Sequence, residues 1–89
     1  MKDRYLEVTF LKGKALAAYL HLPHATGTKS VRTEEAAAGI LVDFAASGEP
    51  IGLELTVPAQ IAVEQINAVL DKLGLAAIAP EELAPLKVA

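Results

Sequence analysis

The sequence predicts an α+β fold in which a five-stranded antiparallel meander sheet carries one amphipathic helix on one of its faces. Between residues 4 and 56, apolar side chains mostly alternate with others, which is the two-residue period of strands with one buried face. At Pro58 the period changes to three or four residues, and proline suits the first turn of a helix but cannot donate to a strand ladder. With 89 residues, the chain has the length of one small domain, residues 1–89.

Five strand segments are predicted, and turn or loop signals separate them. Segments 12–14 and 47–50 both contain glycine, and segment 23–29 contains proline and glycine. Because the connections are short, we expect neighbouring strands to pair antiparallel in chain order, as a meander. The predicted strands cover residues 5–10, 16–22, 30–35, 40–44 and 51–55.

An amphipathic helix is predicted over residues 58–73, where apolar residues recur on one stripe at helical spacing. Gly74 follows as a candidate C-cap. A second, short helix is predicted over residues 80–84, because a proline followed by two glutamates suits a first helical turn. The stripe of the longer helix consists of Ala62, Ile66, Val69, Leu70 and Leu73.

Strand registers follow if apolar side chains meet across each hairpin. The expected opposite pairs are Phe44 with Ile51, Val42 with Leu53, Ile40 with Leu55, Thr33 with Val42, Leu20 with Val31 and Val8 with Ala18. One sheet face is then apolar and covered by the helix, and the other face is open. The expected inward set is Leu6, Val8, Phe10, Leu16, Ala18, Leu20, Val31, Ile40, Val42, Phe44, Ile51, Leu53 and Leu55.

Composition excludes several classes of protein. The chain has no cysteine, so it forms no disulfide and no thiolate metal site. Its net charge of −3 and its scattered cations disfavour a nucleic-acid surface. No apolar run reaches the roughly 18 residues of a membrane span, and no signal-peptide segment is found at the N-terminus. We therefore predict a cytosolic protein without a cofactor.

One constellation on the open face is a candidate site. The predicted registers set Arg32 between the ring of Tyr19 and the carboxylate of Asp43, with Glu54 diagonal to Asp43 and Glu34 in the neighbouring row. Paired carboxylates bind divalent cations or act as acid and base. The simpler interpretation is a solvated face on which charges of opposite sign neutralise each other.

The two histidines do not predict a metal site. His21 and His24 lie close together in the sequence, but a third ligand is missing. No arrangement resembling a catalytic triad and no phosphate-binding glycine repeat is present.

Residues 32–55 contain, in order, RTEE, GILVD, a turn glycine at 48 and IGLEL. This pattern resembles the YuzE-like small bacterial proteins, a domain family of unknown function, over residues 4–57. The resemblance implies a compact α+β meander from bacteria, to which the C-terminal helices are an extension. It implies no established activity and no catalytic residues. Some members resemble partners encoded beside small toxin-like proteins.

Two hypotheses about function result. In the first, the protein is a non-enzymatic module that binds a protein partner or a second copy of itself, through the open face or an edge strand. In the alternative, it is a small metal-binding protein or acid–base enzyme that uses Asp43 and Glu54, assisted by Glu34 or His21.

Overall fold

The computed structural model describes residues 4–87, with side chains for all of these except Ala59 and residues 84–87. It confirms the α+β class, because the described chain forms a five-stranded antiparallel sheet, one α-helix and two 3-10 segments. The strands are β1 (Tyr5–Leu11), β2 (Lys14–His21), β3 (Arg32–Ala37), β4 (Ile40–Phe44) and β5 (Pro50–Leu55). The 3-10 segments are Pro58–Gln60 and Pro80–Lys87, and the α-helix α1 is Val63–Lys72.

The strand order corrects the predicted meander. The sheet runs β1-β2-β5-β4-β3, so that β5 lies between β2 and β4 while β3 forms an edge. The expected pair of Leu20 with Val31 therefore does not form, and Leu20 lies opposite Leu53. The physical reason is burial: β3 is exposed along most of its length and suits an edge, whereas β5 is mostly buried and suits the centre.

Three of the predicted registers are confirmed and two others are wrong. Val8 lies opposite Ala18, Val42 opposite Leu53 and Ile40 opposite Leu55. Phe44 lies opposite Pro50 instead of Ile51, because the ladder shifts by one residue after Asp43. Thr33 lies opposite Asp43 instead of Val42, so residues 32–35 each sit on the face opposite to the one predicted.

A single hydrophobic cluster lies between the sheet and α1, and nine of the thirteen residues of the expected inward set lie in it or pack against it. Phe10, Leu16 and Val31 were expected to be buried but are 44%, 54% and 64% exposed. For Leu16 and Phe10 the reason is that β2 pairs with β5 only from Ala18 onwards, so the end of the β1–β2 hairpin extends beyond the covered sheet. The buried cluster is Ala18, Leu20, Leu22, Ile40, Val42, Leu53, Leu55, Ile61, Ile66, Val69, Leu70, Ile78 and Leu83.

The predicted helix 58–73 is divided in two. The first turn is 3-10, the chain is extended at Ile61 and Ala62, and the α-helix begins at Val63. The helix begins there because the side chain of Gln65 accepts a 2.7 Å hydrogen bond from the backbone N–H of Ala62. The short helix predicted over 80–84 is a 3-10 segment, Pro80–Lys87.

Two side chains tie the C-terminal segment to the domain. Asn67 of α1 accepts a 2.7 Å hydrogen bond from the backbone N–H of Ile78 and donates a 3.2 Å bond to its carbonyl. Arg4 donates to the carbonyls of Ala76 and Ala77 at 2.6 and 2.9 Å. Within the described part of the chain, we find no helix with the length and apolar content needed to cross a membrane.

Candidate functional site

The sheet face opposite the hydrophobic cluster is formed by outward residues of all five strands, and we call it the open face. Its side chains are exposed or half-buried, and only Gly52 is buried. Because opposite residues of antiparallel strands share a face, the registers define its membership. The open face consists of Tyr5, Glu7, Thr9, Ala17, Tyr19, His21, Thr33, Glu35, Leu41, Asp43, Gly52 and Glu54, with Leu11 and Lys14 at its hairpin end.

Tyr19 and Asp43 are in direct contact at the centre of the open face. The Tyr19 hydroxyl donates a 2.7 Å hydrogen bond to Asp43 Oδ2, across the intervening strand β5. Gly52 makes this possible, since a Cβ at that position would overlap the phenol ring. The hydroxyl of Thr33 donates a 2.5 Å hydrogen bond to Asp43 Oδ1. Both carboxylate oxygens of Asp43 therefore accept side-chain hydrogen bonds.

The hydroxyl of Tyr19 holds its proton tightly. Burial is the largest cause that raises its pKa, followed by the hydrogen bond to Asp43 and the negative charges of Asp43 and Glu54. At neutral pH, Tyr19 is consequently a hydrogen-bond donor and a neutral aromatic surface.

An aromatic group lies beside this centre. The ring of His21 stacks on Tyr5 with centroids 4.2 Å apart and meets the edge of Tyr19 at 4.6 Å. Its Nε2 lies 2.9 Å from Glu7 Oε1. Sequence reasoning did not include Tyr5 or Thr33 among the candidates. The alternation of β1 already assigns Tyr5 to the same face as Glu7, whereas Thr33 required the correct register of β3.

Arg32 and Glu34 do not belong to the open face, which corrects the predicted constellation. Arg32 lies opposite Phe44 and Glu34 opposite Val42, so both side chains are on the helix-covered face at the edge of the sheet. The guanidinium of Arg32 lies over the ring of Phe44, 4.2 Å from its centroid, and forms an ion pair with Glu34. Tyr19 therefore meets Asp43 without an intervening arginine.

Glu54 is on the open face as predicted, opposite Tyr19 on one side and Leu41 on the other. It lines a shallow open depression of about 130 Å³ together with Glu7, Thr9, Ala17, Ala18 and Tyr19. Among residues 4–87, no group of three histidine, aspartate or glutamate side chains is placed to hold a metal ion. The use of Asp43 and Glu54 as metal ligands or as acid and base stays a prediction.

The fold and the open face together define a small α+β sheet domain with one helix-covered face and one open face. No family model, no curated protein and no solved structure matches this chain. The resemblance to the YuzE-like proteins accordingly stays a prediction.

Proposed function

We propose that this protein is a non-enzymatic binding module whose open face receives a protein partner that presents arginine or lysine side chains. One observation carries the proposal: in the two rows of the open face that cross all five strands, the aspartate and glutamate side chains are accompanied by no lysine or arginine. These residues are Glu7, Glu35, Asp43 and Glu54.

The cations of the β-sheet and of α1 lie outside these two rows. Lys14 lies opposite Leu11 at the hairpin end of the open face. Arg4 is held by the C-terminal segment, and Arg32 lies over Phe44 on the covered face. Lys72 is in the last turn of α1. The carboxylates of the open face consequently have no arginine or lysine beside them within their two rows, and a cationic partner would complement the charge.

The aromatic side chains favour arginine over lysine as the contacting residue. A guanidinium stacks on an aromatic ring and also forms paired hydrogen bonds with a carboxylate. Tyr19 lies opposite Glu7 on one side and opposite Glu54 on the other. Tyr5 is two residues from Glu7 on the same strand. One arginine could therefore stack on a ring and pair with a carboxylate at the same time.

The dimensions of the open face suit a protein better than a small molecule. Pockets for small ligands usually enclose about 300–1,000 Å³. The depression beside Glu54 has about 130 Å³ and is open to solvent. Five strands at a spacing of about 4.8 Å make an extended flat surface instead. Its negative charge would repel the phosphates of a nucleic acid.

Titration with short peptides tests this proposal. The probes are an extended peptide with alternating arginine and aliphatic residues, its lysine version and its glutamate version. We expect binding in the order arginine, lysine, glutamate, weakening as salt is added. Amide chemical shifts should move on the strands of the open face and not on α1.

Matched variants localise the binding. Glu54→Gln should weaken binding of the arginine peptide about two- to fivefold, the range for one exposed ion pair. Glu64→Gln, a control on the exposed side of α1, should leave it unchanged. Equal binding of the arginine and glutamate peptides, or shifts confined to α1, would overturn the proposal.

Bacterial origin, cytosolic location and a partner encoded nearby were expected from the sequence and remain proposals. The metal-binding or acid–base alternative that uses Asp43 and Glu54 is also a proposal.

A further inference from the structure

Strand β3 (Arg32–Ala37) has a free edge. It is the last strand of the sheet and pairs with β4 on one side. Its first five residues are all exposed. An edge strand presents backbone N–H and C=O groups that can pair with a further strand. The free edge of β3 is therefore a surface onto which another chain can add.

We propose that β3 pairs antiparallel with β3 of a second copy of this chain, across a twofold axis that passes beside Thr33. In this register Thr33 lies opposite Thr33 of the second copy, and Arg32 lies opposite Glu34 of the second copy. An axis perpendicular to the sheet keeps both open faces on the same side. The two sheets then form one continuous sheet.

Charge selects this register. Directly opposite residues of unlike charge stabilise a strand pair, and like charges destabilise it. Centring the axis on Glu34 or Glu35 sets a glutamate against its own copy, and centring it on Arg32 sets two arginines together. The Thr33 register alone places Arg32 and Glu34 in reciprocal contact.

The ion pair between Arg32 and Glu34 within one chain would be extended by the second copy. Arg32 already pairs with Glu34 of its own chain, and the guanidinium covers Phe44. In the dimer each Arg32 would lie between two Glu34 side chains, one from each copy, in an alternating group of four charges. On the open face, Glu35 would lie opposite Val31 of the second copy, which is 64% exposed in the single chain.

Charge reversal tests this contact. We expect sedimentation equilibrium from micromolar to millimolar concentration to show a monomer–dimer equilibrium. Arg32→Glu and Glu34→Arg should each weaken the dimer at least tenfold, which is about 1.4 kcal/mol. The double variant Arg32→Glu with Glu34→Arg restores alternating charges and should recover the dimer. Glu64→Arg on α1 is the control and should not change it.

Cysteine cross-linking tests the register directly, because the chain contains no cysteine. Opposite Cα atoms in antiparallel strands are about 4.5–5.5 Å apart, within the range of a disulfide. Oxidation should convert Thr33→Cys to a covalent dimer, whereas Thr9→Cys, a matched exposed threonine on β1, should stay monomeric. A monomer at every concentration, or equal cross-linking of both variants, would overturn the proposal. The dimer contact lies at the edge of β3, whereas the peptide titration probes the open face. The two proposals can therefore fail independently of each other.

Discussion

Tyr19 reaches Asp43 by passing directly over Gly52, the one position of β5 between them that lacks a side chain. The hydroxyl donates a 2.7 Å hydrogen bond to Asp43 Oδ2. A methyl group on Gly52 would occupy the space of the phenol ring. The contact joins β2 to β4 across the central strand, so it holds the side chains of Tyr19 and Asp43 in place at the centre of the open face.

Gly52→Ala should destabilise the protein because the new methyl group displaces the ring of Tyr19. We expect the free energy of unfolding to fall by about 1–3 kcal/mol, as for overpacking at other confined positions. Urea unfolding measures the change. In a Tyr19→Ala background the same substitution should cost little, because the ring is gone. Equal costs in both backgrounds would show that the ring does not confine position 52.

Stability should fall at alkaline pH because the pKa of Tyr19 is raised in the folded protein. Below the ordinary tyrosine pKa of about 10, the hydroxyl is protonated in both states, and the stabilisation is fully present. Above it, the unfolded chain releases a proton that the folded protein retains, so unfolding becomes favoured as pH rises. Because Tyr19 is half-exposed, the slope should be less than about 1.4 kcal/mol per pH unit.

Urea unfolding of the natural chain and of Tyr19→Phe, at several pH values on either side of about 10, measures this slope. The phenylalanine variant should be less stable at neutral pH, since it lacks the hydrogen bond to Asp43. Its stability should also decline less steeply as pH rises. Parallel declines in the two proteins would rule out Tyr19 as the cause.

Asn67→Ala should loosen the C-terminal segment. The Asn67 amide makes two hydrogen bonds to the backbone of Ile78, and its removal leaves both groups of Ile78 without that partner. We expect a loss of about 1–2 kcal/mol and faster hydrogen exchange at the Ile78 amide. The control is Asp71→Ala, on the exposed side of α1. Unchanged exchange at Ile78 in the Asn67 variant would contradict this role.

Divalent cations test the metal-binding alternative. Both oxygens of Asp43 already accept hydrogen bonds from Tyr19 and Thr33, so a cation must displace those donors to bind there. We expect magnesium, calcium and zinc each to give no heat on calorimetric titration and no rise in the unfolding midpoint. Binding heat that disappears in Asp43→Asn would instead establish a site on the open face.

Much of the fold could be predicted from local pattern. Residue alternation in β4 and β5 predicted the pairs Val42–Leu53 and Ile40–Leu55, because both strands bury one apolar face and a shift of one residue would expose it. Strand β3 offers no such constraint, since Arg32 to Ala36 are all exposed in the structure. Its register and its neighbour were consequently the parts predicted wrongly, and this error placed Arg32 and Glu34 on the open face.

By itself, the sequence determined the α+β class, the position of most strands and the side of the sheet on which Tyr19, Asp43 and Glu54 lie. Alternation is a local property, and each of these residues belongs to a strand with a clear apolar face. Only the tertiary structure decided that β5 separates β2 from β4 and that Tyr19 contacts Asp43 over Gly52. Strand order depends on which strands gain most from burial at the centre of the sheet, and that comparison involves all five strands at once.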